Sequence, residues 1–350
     1  MPSRPELPAP CAPADEPSLA AKVEALRTPA CYPAPPGPIT PVETHMSWVF
    51  LTAQHAWKLK KPVRYDHQDF RTPAGRRFYC LEELRVNRRL APWVYLDVLP
   101  LTLEPAGSLR IGGAGCAVDW LVQMRRLAAE DMLDARIARG AATPAHMQAV
   151  AQRLAPFYRG QPPAPLSTRA YRALLLRHVE EAERELCDPA WELPAARVRA
   201  LCERQRAIVR VHAAVFDGRV AAGRVVEGHG DLRPEHVWLG EPLAIIDSLE
   251  FSSELRLQDA ADEVGFLALE CERMHARALG EALLAAYRAA SGDDAPAALV
   301  HFYQSCKAGI RARLAIAHLR EPHYRGSPKW RRRTLRYLAL AERHLAQAQF

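Results

Sequence analysis

The chain has 350 residues, 49% of them hydrophobic and 25% charged, with a formal charge of +7. That length and balance suit one large domain or two lobes with real cores, and they exclude a chain disordered throughout. No apolar run reaches the roughly 18–20 residues of a membrane-spanning helix, and the residues before Ser18 lack the apolar stretch of a secretory signal.

Twelve of the 29 prolines fall in residues 1–41, and residues 1–16 read as a disordered leader. Ser18 is placed to cap a short helix, Leu19–Leu26, that stops before Pro29. Ser47–Thr52 and His55–Lys60 read as strands around a turn at Ala53–Gln54. Over Arg76–Leu90, Phe78, Leu81, Leu84 and Leu90 share one side with charges between them, which predicts a helix. Val94–Leu103, Leu109–Ile111 and Ala117–Met124 read as strands, separated by glycine turns at 107–108 and 112–115. After Arg125 the pattern becomes helical over Thr143–Arg159, Thr168–Leu186, Ala195–Phe216, 258–290, 296–320 and 328–348, with a strand–loop–strand insert at Val225–Phe251. The expected outline is α+β and bilobal: a β-rich lobe of about five strands over 17–123 and a larger helical lobe over 124–350.

The eight cysteines include no C-x-x-C pair, so zinc-ribbon and thioredoxin-type sites are unsupported, and without a secretory signal the expectation is reduced thiols and a cytoplasmic protein. H-E-x-x-H, G-x-S-x-G and G-x-x-x-x-G-K-[ST] are absent, so zincin, serine-hydrolase and P-loop readings lose their signatures. The basic run Lys329–Arg333 opens a helix with leucines on its other side and reads as a solvated face, so no nucleic-acid partner is expected.

The strongest chemical signal is His229-Gly230-Asp231-Leu232-Arg233-Pro234-Glu235-His236, followed by Ala244-Ile245-Ile246-Asp247. Phosphoryl transfer explains such spacing. An aspartate on a loop takes the proton of the attacking hydroxyl, a ligand five residues on turns back to a divalent cation, and a second aspartate behind an apolar strand holds the same metal. Asp231, His236 and Asp247 stand at those three places.

With Glu43–Leu51, Trp57–Val63 and Phe78–Arg85, this loop resembles the aminoglycoside phosphotransferase/choline-kinase branch of the protein-kinase-like superfamily. Within that branch the chain resembles a bacterial group often fused to a P-loop kinase domain. The likeness runs from about Leu19 to the C-terminus. It implies a protein-kinase-like fold and ATP- and Mg²⁺-dependent transfer to a hydroxyl of a small molecule, with no membrane partner and with a P-loop kinase partner acting in trans. Lys60, ending a strand, matches the phosphate-contacting lysine; Lys58 and Lys61 fit a solvated run. Its partner is a helix glutamate, Glu83 or the adjacent Glu82, of which Glu83 is preferred. Thr44 and Ser47 lie where phosphate oxygens would meet a turn, and the main chain of Gln123 and Met124 where an adenine edge would. Arg233 is placed to neutralise the transferring group. Asp259 stands at a helix start, where it reads as a cap, and the likeness also suggests that it braces the catalytic loop. Glu250 is either a further contact or a solvated turn residue.

His236 departs from the usual asparagine. Imidazole suits Mn²⁺ better than Mg²⁺, and this departure keeps open a nucleotide-binding pseudokinase that serves as an interaction module. A protein kinase is a further alternative, although Asp247 is followed by Ser-Leu rather than Phe-Gly.

Overall fold

A computed structural model describes residues 16–65 and 68–350. The expected leader, apart from Glu16, lies outside the described residues. The chain forms two compact units: the N-terminal part through Asp131 with Gly240–Glu254, and Met132–Leu239 with Leu255–Phe350.

The first unit is built on a six-stranded antiparallel sheet: β1 (Thr40–Glu43), β2 (Ser47–Leu51), β3 (His55–Lys60), β4 (Tyr95–Leu103), β5 (Leu109–Ile111) and β6 (Cys116–Arg125), in the order β1-β2-β3-β6-β4-β5. Short alternating segments joined by tight turns favour such pairing. The sequence reading missed β1 because Pro41 interrupts it; at a sheet edge a proline is tolerated, since its missing N–H faces outward.

Alternation along β3 puts Trp57 and Leu59 on one face and Ala56, Lys58 and Lys60 on the other. The first face is closed by α1 (Leu19–Leu26) and the segment after it. Val23, Leu26, Cys31 and Tyr32 pack there with Phe50, Trp57, Leu59 and Leu121. The α1 bounds match the sequence reading, and Ser18 accepts the Ala21 N–H at 3.2 Å as its cap. The lysine face is crossed by α2 (Pro73–Arg88), capped by Thr72.

The second unit is helical: α3 (Leu133–Ala138), α4 (Pro144–Arg159), α5 (Thr168–Leu186), α6 (Ala195–Val211), α7 (Ala213–Ala221), α8 (Ala260–Arg273), α9 (Arg277–Ser291), α10 (Ala297–Ala317) and α11 (Pro328–Gln347). Strands β7 (Val225–Glu227) and β8 (Leu257–Asp259) pair antiparallel beside them. Two expected single helices are broken. Ala195–Phe216 divides at His212, and 258–290 divides at 274–276, where His275 takes φ 64°. Neither break carries a glycine or proline, so periodicity ran through both.

Among the described residues no helix is long and apolar enough to cross a membrane. Among the described residues Cys31, Cys80, Cys187, Cys202, Cys271 and Cys306 are free thiols.

Candidate active site

In the first unit, the lysine face of β3, the inner side of α2 and the segment 247–250 meet in one charged cluster. Lys58 Nζ lies 2.8 Å from Glu83 Oε1 and 3.1 Å from Asp247 Oδ1. Lys60 Nζ lies 2.7 Å from Glu83 Oε2 and also pairs with Glu250. Glu83 therefore holds both lysines, one on each oxygen, as two residues on the same face of a strand permit. Glu82 points elsewhere and bonds Arg85 one turn along α2.

The charges reinforce one another. Burial raises the Glu83 carboxyl, but Lys58 and Lys60 outweigh it and hold the group below the usual range. Burial likewise opposes the Lys58 ammonium, while Asp247 first and then Glu83 and Glu250 keep it charged. Lys60 is raised against the same burial, by Glu250 and then Glu83.

Asp247 sits in an unusual backbone state. Its φ is 62°, left-handed for a residue with a side chain, at a cost on the order of 1 kcal/mol. Two hydrogen bonds fix it there: its N–H donates to the Tyr95 hydroxyl at 3.0 Å, and Ser248 N–H donates to Asn87 Oδ1 at 2.8 Å. The Asp247 carboxylate is 48% exposed, so it is held at its backbone and open at its tip.

In the second unit, the loop 229–236 follows β7. Arg233 Nε donates to Asp231 Oδ2 at 2.9 Å, and Arg233 also bonds Glu235. Arg311 on α10 approaches Asp231 Oδ1 at 3.6 Å. Burial pushes the Asp231 carboxyl up; Arg233, then His236 and Arg311, bring it below its ordinary value, so it is ionised at neutral pH. An ionised carboxylate is a proton acceptor.

One buried residue, Glu263 of α8, gathers the start of the loop: it accepts the His229 N–H at 2.8 Å, the Gly230 N–H, the Tyr158 hydroxyl at 2.6 Å and the Gln258 amide. Asp259 is the cap its place at a helix start suggested: it accepts the Ala261 N–H of α8 and binds Arg219 at 2.7 Å on both oxygens. The bracing that the family likeness also suggested for it is made instead by the carboxylate one helical turn later, Glu263.

His236 lies in the same loop. Its Nδ1 lies 2.8 Å from the Asp231 carbonyl oxygen and its Nε2 lies 3.3 Å from Arg233 Nη2. Both ring nitrogens therefore face partners within the loop. Among the described residues no group of three His, Cys, Asp or Glu forms a metal cluster.

The remaining expectations fall in the first unit. The Thr44 hydroxyl is used by its own turn, donating to Ser47 O at 2.9 Å and accepting Ser47 N–H at 3.0 Å. Ser47 is buried opposite Lys60. Gln123 and Met124 lie inside β6, flanked on both sides by β3 and β4, so their main chain belongs to the sheet instead of forming an open edge. Met124 pairs Ala56 on the lysine face, and Gln123 pairs Trp57 on the face under α1.

Sequence reasoning missed Lys58, Tyr95, Asn87 and Glu263. Lys58 had a usable signal, since alternation along the expected strand His55–Lys60 puts it on the face of Lys60. The other three had none beyond lying in regular elements.

No protein-family profile matches the chain. It is 33% identical over 310 residues to "Uncharacterized protein Rv2004c" of Mycobacterium tuberculosis and, equally, to "Uncharacterized protein Mb2027c" of Mycobacterium bovis. That alignment covers 87% of this chain, which spans 59% of the length of either relative. Among solved structures, a choline/ethanolamine kinase family protein from Mesorhizobium loti superposes with a TM-score of 0.53 at 18% identity, covering 94% of this chain and 99% of that one. A choline kinase from Cryptosporidium parvum gives 0.53 at 10% identity, covering 93% and 96%. With its antiparallel sheet, its helical second unit and these two matches over nearly the whole length, the chain has the α+β, protein-kinase-like fold of the choline/ethanolamine kinases.

Proposed function

We propose that the protein is an ATP-dependent phosphotransferase acting on a hydroxyl of a small molecule. The observation that carries this reading is the chain of contacts Glu83–Lys58–Asp247 in a kinase-like fold. It pairs a fixed cation, suited to phosphate oxygens, with a half-exposed carboxylate, suited to a hard cation.

In this reading Asp247 holds a divalent cation, which when bound supplies charge neutralisation to the phosphates. A lysine of the β3 pair orients the nucleotide. Asp231 takes the hydroxyl proton as the acceptor oxygen bonds to the γ-phosphorus. The bond from that phosphorus to the bridging oxygen breaks, ADP leaves, and the proton passes from Asp231 to solvent. Arg233 fixes the orientation of the Asp231 carboxylate.

The test is a screen of hydroxylated metabolites for ATP-dependent phosphorylation, run with Mg²⁺ and with Mn²⁺. Asp231→Asn should keep nucleotide affinity and lower turnover on the order of 10²–10⁴-fold. Near wild-type turnover in that variant would overturn the role of Asp231.

A second reading is a nucleotide-binding module without turnover. It is favoured by one observation, the engagement of both His236 nitrogens within the loop. Nucleotide binding with no product from any acceptor or metal would move it ahead.

A further inference from the structure

We infer that Lys58, not Lys60, is the lysine that meets the nucleotide phosphates, and that Lys60 with Glu250 forms a buried strut that sets the position of Asp247. This rests on the nucleotide reading above. The two lysines share one strand face and one glutamate but live in different surroundings. Lys60 is 1% exposed, lies between Glu83 and Glu250, and sits 5.2 Å from the centre of the Phe70 ring. To reach a phosphate it would have to loosen its hold on the buried Glu83 and on Glu250, which is 10% exposed, and a buried carboxylate stripped of its cation is strongly penalised.

Lys58 faces no such barrier. It is 16% exposed, and its contact beyond Glu83 is Asp247, the most exposed carboxylate of the cluster. An ammonium has three N–H donors on a flexible stem. Lys58 can keep Glu83 and still turn toward an anion beside Asp247.

The strut follows from chain geometry. Glu250 lies three residues after Asp247, and Lys60 grips it from β3. Asn87 holds Ser248 and Tyr95 holds the Asp247 N–H. The segment is thus tied at 247, 248 and 250 to three separate elements, which keeps a left-handed aspartate in place.

Two variants separate the roles. Lys58→Met removes the outer lysine and leaves Glu83 paired with Lys60. Lys60→Met with Glu250→Leu removes the strut as a pair, so that Glu250 is not left buried without its cation. Calorimetry with ATP and Mn²⁺ reads affinity, urea unfolding reads stability, and amide hydrogen exchange reads Asp247 and Ser248. Lys58→Met should weaken ATP at least tenfold with little change in urea midpoint or exchange. The strut variant should lower the midpoint, speed exchange at both amides at least tenfold, and weaken ATP less than Lys58→Met does.

Wild-type affinity in Lys58→Met, with a tenfold loss in a strut variant still folded by circular dichroism, would overturn the inference alone and return the contact to Lys60. Absence of ATP binding by the wild-type protein would overturn the nucleotide reading and the Lys58 contact together. Unchanged exchange at Asp247 and Ser248 in the strut variant would overturn the strut whatever the nucleotide data say.

Discussion

The two candidate centres are held together in opposite ways. In the first unit, Asp247 is fixed by many partners drawn from β3, α2 and β4, each contributing one contact: Lys58, Asn87, Tyr95 and, through Glu250, Lys60. In the second, four donors on and around the loop 229–236 converge on a single carboxylate, Glu263. A distributed support degrades gradually when a member is lost, whereas a concentrated one fails at once. The distributed cluster is made mostly of opposite charges; the concentrated brace is a carboxylate surrounded by neutral donors.

The sharpest way to break this contrast is Glu263→Ala. It leaves two loop amides and the Tyr158 hydroxyl buried without an acceptor, and it opens a cavity. Urea unfolding should show a loss of about 3 kcal/mol or more, with turnover falling further as the Asp231 loop loses its support. A loss under about 1 kcal/mol would show that the loop has other anchors.

The second comparison is in pH. Burial raises the Asp262 carboxyl of α8 to about 7, against the pull of Lys307, and its Oδ1 has no hydrogen-bond partner. A carboxyl raised on folding binds its proton more tightly in the native state. Its contribution is fully present below the ordinary carboxylate range and is lost as pH climbs through about 7. Between roughly pH 5.5 and 7 that amounts to about 2 kcal/mol, at about 1.4 kcal/mol per pH unit for one proton. Asp262→Asn should flatten this part of the stability profile measured by urea titration. Glu83 in the first unit has the opposite sign: its depressed carboxyl stabilises above the usual carboxylate range and loses that contribution in acid. If both units unfolded together and Asp262→Asn left the profile unchanged, the raised carboxyl would have to be abandoned.

The smallest expected effect is Tyr95→Phe. It deletes one acceptor, the hydroxyl that takes the Asp247 N–H, and leaves the rest of the cluster intact. A loss of about 1 kcal/mol is expected, with ATP affinity falling only a few-fold. A loss as large as that of Glu263→Ala would mean that Tyr95 is the keystone of the first centre and that its support is not distributed.

How much of this was legible without coordinates depended on how local each signal was. The Ser18 cap with helix α1, strand β3 and helix α5 were read to the residue, because capping and periodicity operate within a few positions. Asp231 and Asp247 stood out because their spacing follows the chemistry they resemble. The partners were harder. The faces of β3 showed that Lys58 and Lys60 project together, but only the packed position of α2 reveals that one glutamate serves both. Glu263 lies in a helix whose pattern reads as core, and nothing within a few residues announces that it reaches back 34 positions to His229. At His236 a ligand and a loop brace occupy the same place in sequence, and only coordinates show its two nitrogens turned to Asp231 and Arg233.

The helix α1 carries a consequence for how the chain can be shortened. Trimming at Thr40, where the sheet begins, would seem to remove only a proline-rich preamble. It would in fact take Val23, Leu26, Cys31 and Tyr32 off the cluster they form with Trp57, Leu59 and Leu121 and expose those side chains to water. It would also remove Lys22, leaving the buried Asp119 with Arg76 as its remaining cation. At about 25 cal/mol per Å² of apolar surface, uncovering several large side chains outweighs the marginal stability of an ordinary domain. A fragment that keeps this face covered must therefore begin ahead of Ser18, and the preamble is the second layer of the sheet's core.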